Sequence, residues 1–184
     1  MAVLTGAWAL RRHRVARNLL LLVASYLFCW KWQPMFLLAI IGSSLVNYGF
    51  GEKLFSQDNE KKRLNTLKFA LGVNLCFLAY FKYYGFFTDN LADLLGSFGL
   101  SSHLPIIEVI APLGVSFYTF QAIAYLVDIH RQRAVRPKTV LDFLLFQSFF
   151  PQLAAGPICR SHELLPQIML PCPKRVPHVS KAIA

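Results

Sequence analysis

The chain has 184 residues, of which 55% are apolar or aromatic and 15% charged, with a formal charge of +10. A soluble domain carries nearer a quarter charged residues, so an ordinary cytosolic domain, a disordered tail and a disulfide scaffold are excluded. No nucleic-acid partner is expected either: membrane-length apolar runs separate the basic residues, as in loops that flank membrane spans.

The first apolar run, Leu19–Trp30, follows Arg11, Arg12, Arg14 and Arg17. It has the basic head and apolar middle of a signal peptide, but no small-x-small cleavage site follows. The sequence instead continues into a second run, Met35–Gly51, with Trp30, Trp32 and Pro34 suited to a turn at headgroup level. Residues 19–51 are therefore predicted as a helical hairpin with a short first arm. After a polar stretch, Phe69–Phe87 reads as a span whose Lys82 snorkels to the interface beside Tyr80, Tyr83 and Tyr84. Leu91, Leu94, Leu95 and Phe98 recur at helical spacing and predict a short helix on the membrane surface. Val109–Val127 is an uncharged span with Pro112 in its first turn, where a missing amide hydrogen costs little. The run 143–159 is apolar but broken by Pro151 and by Gly156-Pro157.

Charge orders these pieces. Seventeen of the 19 Lys and Arg fall in four clusters, 11–17, 53–68, 131–138 and 160–181, and the segment 83–108 has none. By the positive-inside rule the clusters are cytoplasmic, and 69–87 and 109–127 cross once each. The run 143–159, basic at both ends, is expected to enter and leave by one face. The expected fold is all-α: a polytopic helical membrane protein with a re-entrant cytoplasmic segment. It divides into a basic N-terminus (1–18), a membrane domain (19–163) and a cytoplasmic tail (164–184).

Within the spans, Ser43, Asn47 and Gly51 repeat every four residues and read as a helix-packing face. Asn74 reads the same way. Ser116, Thr119 and Gln121 interrupt an otherwise apolar stretch, and Gln121 and Asp128 lie seven apart on one face. Ser116 has no base near it in sequence, as a nucleophile would need. None of the five histidines lies inside an apolar run, and the four cysteines form no Cys-x-x-Cys pair. No metal site, bound cofactor or catalytic residue is predicted.

Two long stretches carry more. PLGVSFYTFQAIAYLVDIHR (Pro112–Arg131) and DFLLFQSFFPQLAAGPICR (Asp142–Arg160) resemble the signature segments of membrane-bound O-acyltransferases, in the bacterial branch that acetylates alginate. The N-terminal hairpin and the LAYFKYYGFF run resemble the same branch, so the likeness covers nearly all of residues 17–163. It implies a multi-pass enzyme of the bacterial inner membrane. Such an enzyme passes an acetyl group from a cytoplasmic thioester, acetyl-CoA or similar, through a tunnel to an exported polysaccharide. Periplasmic proteins that accept or transfer the acetyl group are the implied partners, beside the lipid bilayer itself. The family's catalytic histidine lies in a later region that no histidine here matches, so the chain reads as an N-terminal piece, inactive alone. Ser116, Thr119, Gln121, Pro151, Gly156 and Pro157 are expected to line or brace the tunnel. A D-alanyl-transferring branch, with a less similar SFYTFQ segment, ranks second. The second hypothesis, from another class, is a non-catalytic polytopic scaffold or transporter half, which an inverted repeat between halves would favour; none is seen at this length.

Overall fold

The computed structural model describes residues 2–10, 13–32, 34–97, 114–155 and 159–170. Among these residues every regular element is a helix. In chain order they are α1 (Ala2–Ala9), α2 (Arg14–Trp32), α3 (Pro34–Ser56), α4 (Glu60–Ser97), α5 (Val115–His130), α6 (Val140–Ser148), α7 (Phe150–Ala155) and α8 (Ser161–Met169).

Helices α2 and α3 pack on each other as the predicted hairpin, but its first arm is 19 residues long. The seven extra residues are Arg14–Asn18 before the apolar run and Lys31 and Trp32 after it. The polar stretch after the hairpin shrinks to a connection of Gln57, Asp58 and Asn59. Asn59 then caps α4 by accepting the Lys62 amide on Oδ1 at 3.2 Å, as short polar side chains do at helix starts.

Helix α4 runs 38 residues without interruption. The predicted span 69–87 and the predicted surface helix after it are one element as far as Ser97; Phe98 lies outside the described residues. Nothing in this interval breaks a helix: it has no proline, and isolated glycines such as Gly72 and Gly85 cost helix stability without ending it. Among the described residues two helices are long and apolar enough to cross a bilayer, Pro34–Ser56 and Glu60–Tyr84.

The predicted span 109–127 is represented by α5, since 109–113 lie outside the described residues. Gly114 precedes α5 with φ 72°, a left-handed conformation that glycine adopts freely. Helix α5 is the core of the bundle, packing on α3, α4 and α6. Tyr118, Ala122, Tyr125, Leu126 and Ile129 are all buried along it. Tyr125 stacks on Phe143 and Phe146 of α6, with ring centroids 4.9 and 6.1 Å away. Gly51 lets α3 approach closely, because a Cβ there would meet Tyr125 Cε1 at 2.9 Å.

Candidate functional site

The broken segment after α5 is where the polar residues of the interior gather. Thr139 and Asp142 form a reciprocal capping box that starts α6. The helix ends at Ser148, and Phe149, with φ −59° and ψ 106°, turns the chain before α7 begins. Pro151 cannot donate an amide, so the backbone ladder cannot run through this point. The break therefore falls just ahead of the proline that predicted it, and Pro151 itself is exposed in the first turn of α7. Gly156 and Pro157 lie outside the described residues.

A helix break leaves backbone groups that need partners in an apolar surrounding. Gln121 of α5 donates its Nε2 to the Phe146 carbonyl at 3.0 Å. Phe150 donates its amide to Ser25 Oγ of α2 at 3.2 Å, and the Ser25 hydroxyl in turn donates to Leu21 O at 2.9 Å. Gln147 donates to Ser43 Oγ of α3 at 3.2 Å. Three helices thus supply side chains to one interruption.

Beside this lies the predicted packing face. Asn47 and Asn74 exchange amide hydrogen bonds of 3.1 and 2.8 Å between α3 and α4, and both are buried. Each amide also donates back to its own helix, Asn47 to Ser43 O and Asn74 to Ala70 O, at 2.9 Å. Outside this pair, an apolar cleft of about 170 Å³ runs between α3 and α4 past Leu38, Gly42, Val46 and Phe77.

Charges collect at one end of the bundle. Asp142 is fully buried and accepts from Arg14 Nη2 at 3.1 Å and Asn18 Nδ2 at 3.0 Å. Arg160 pairs with buried Asp128 at 3.1 Å, and Arg63 donates to the Ile129 carbonyl at the end of α5. Arg136 pairs with Glu52 at the surface, and that hydrogen bond and charge hold its guanidinium above its usual range. All four basic clusters of the sequence contribute a residue to this end.

The contacts trace the path of the broken segment. Asp142 lies in the charged end, the Phe146 carbonyl meets Gln121, and on the far side of residues 156–158, which lie outside the described residues, Arg160 meets Asp128. Gln121 and Asp128, seven residues apart on α5, hold the two limbs about 10 Å apart along the helix.

Of the predicted site residues, Gln121 joins the break. Thr119 is buried with its hydroxyl unpartnered, whereas Ser116 is exposed. Ser25, Ser43, Asp142 and Gln147 went unselected in sequence, although Ser43 was placed on a packing face. Among the described residues His13 and His162 are exposed, and His130 ends α5 half-buried, with its Nδ1 buried. His103 and His178 lie outside the described residues. No group of acidic, His or Cys side chains with metal-binding geometry occurs among the described residues.

Two membrane-capable helices and a buried, polar-lined break define a helical bundle of the kind found in membrane proteins. Comparison with known proteins narrows the class. The chain is 40% identical over 152 residues to a Pseudomonas putida protein named "Probable alginate O-acetylase AlgI", covering 82% of the chain and 31% of the relative. It is 36% identical over 168 residues to the Pseudomonas aeruginosa protein of the same name, covering 91% and 32%. A "Peptidoglycan O-acetyltransferase" of Helicobacter pylori is 36% identical over 175 aligned positions, with 82% and 32% covered. No family model and no solved structure matches the chain. Over the aligned residues the chain is similar to these proteins named as O-acetylases and O-acetyltransferase. It spans about a third of the length of the curated relatives it matches.

Proposed function

We propose that the chain is part of a membrane O-acetyltransferase that modifies a cell-envelope or exported polysaccharide. The observation that carries this reading is the identity of 36–40% to proteins named as O-acetylases, over 82–91% of the chain. The donor in this reading is acetyl-CoA or a similar acyl thioester approaching the charged end, and the enzyme is a multi-pass protein of the inner membrane. Periplasmic proteins that carry the acetyl group to the polymer are its partners.

The chain's own residues supply wall rather than reacting groups. In this reading proton transfer at the thioester falls to residues other than those of the break. The broken segment supports a re-entrant path, since both of its ends meet the charged end of the bundle. Such irregular backbone survives at membrane depth only when enclosed by protein or water, and α2, α3 and α5 enclose it here. In this reading Gln121 and Thr119 brace or line that enclosure, with Pro151 in the first turn after the break, while Ser116 is exposed.

Deleting the gene and measuring base-labile acetate on envelope polysaccharides tests the reading. Loss of O-acetyl groups, restored by the gene, is the expected result. Unchanged acetate with loss of D-alanyl esters would move the chain to the D-alanyl branch, and no change in either ester would leave a scaffold.

A further inference from the structure

A second cavity, of about 320 Å³, lies between α1, α2, α6 and α8 and reaches the helix break at Phe149. Its lining includes Ala7, Trp8, Arg17, Leu21, Phe149 and Leu164. Apolar side chains dominate, with one cation at the edge.

That cation is unusual. Arg17 is only 7% exposed, yet no carboxylate lies within ion-pair distance of it among the described residues. Its Nη2 donates to the carbonyls of Ile168 at 2.8 Å and Leu170 at 3.0 Å, at the end of α8, and with Nε to Asn18 Oδ1. No acceptor is recorded for Nη1 among the described residues. The acid of the same network, Asp142, is taken by Arg14 and Asn18. The network therefore holds two guanidinium groups against one carboxylate. Helix-end carbonyls offset part of a buried cation's cost, but only partial charges are available there.

The cavity has a direction. Arg17 sits at the charged end, Leu21 one turn further in, and Phe149 deeper still at the helix break. A cation at headgroup level above an apolar well matches an amphiphile with its anionic head outward. Exposed Trp8 at the edge belongs to the residue type that favours this level of a bilayer.

We propose that this cavity binds an anionic phospholipid, its phosphate on Arg17 and part of one acyl chain against Leu21, Phe149 and Leu164. The site requires only that the bundle sits in a bilayer, and it stands or falls apart from the acetyl-transfer reading. It ties α1 and α8 to the bundle through a bound lipid.

The test uses the 184-residue chain, purified in detergent and returned to vesicles. Native mass spectrometry should show retained phosphatidylglycerol. The unfolding midpoint should rise in mixed phosphatidylcholine–phosphatidylglycerol vesicles over pure phosphatidylcholine. Ala7→Phe, which fills the cavity and replaces no residue of the arginine network, should abolish both effects. Arg17→Gln should weaken retention about fivefold, the worth of one cation near an anionic lipid. Should Arg17→Gln fail to fold, Ala7→Phe still decides. Equal retention of phosphatidylcholine, or full retention by Ala7→Phe, would overturn the proposal. So would displacement of phosphatidylglycerol by stoichiometric oleate, which would assign the cavity to a free carboxylate amphiphile.

Discussion

The charged end and the interior of the bundle solve the same problem with different chemistry. At the charged end, distant parts of the chain are joined by arginines acting on carboxylates and helix-end carbonyls. In the interior, where α3 and α4 carry their apolar spans, the same task falls to uncharged amides and hydroxyls. Asn47 meets Asn74, Gln147 meets Ser43, and Gln121 meets a backbone carbonyl. Moving an ion away from water costs several kcal/mol, whereas an amide pair that satisfies itself costs little. The depth of a residue thus selects the kind of bond it can afford.

The sharpest way to break this division is at Asp142. Asp142→Ala removes the acceptor of buried Asn18 and half-buried Arg14, and one half of a capping box. It should cost roughly 3–5 kcal/mol, read as loss of folded protein in membranes or a lower unfolding midpoint. Gln121→Met keeps the volume and removes the donor, leaving the Phe146 carbonyl unmatched. A loss of roughly 1–3 kcal/mol is expected, with alkylation of Cys159 accelerated while buried Cys29 stays protected. Equal acceleration at both cysteines would show general unfolding and remove Gln121 from its bracing role.

The amide pair gives a smaller, diagnostic effect. Asn47→Leu alone should destabilise by about 1 kcal/mol, because Asn74 loses its partner. Adding Asn74→Leu should recover part of the loss in a double-mutant cycle. Strict additivity would mean that the two amides do not act as a pair. Arg136→Ala should have the smallest effect, with no measurable change in stability, since its pair with Glu52 is exposed and solvent-screened.

What could be read in the sequence follows the same division. The basic clusters were legible because long apolar runs separate them. The Ser43–Asn47–Gly51 face was legible because helical spacing records which residues share a side. Arg14 and Arg17 were not: as a basic stretch they look solvated, and their partners lie 128 and 151 residues away. Ser25 was hidden for another reason. A serine in an apolar helix bonds to its own backbone by default, and this one does, while also accepting the amide of Phe150. Pro151 located the helix break to within two residues, but the turn itself falls on Phe149, which has no local signature of its own. The end of α4 was misplaced because amphipathic spacing after a tyrosine belt looks the same whether a helix restarts or continues.

That continuity makes α4 more than a span. The helix continues for about 20 Å past Tyr84, through Gly85–Ser97. An unbroken rod transmits tilt along its whole length. Any shift of its inner half, where Asn74 grips α3 and α5 packs alongside, sweeps the far tip through a larger arc. A tilt of α4 about the buried amide pair would therefore carry Ser97 further than any residue near Asn74.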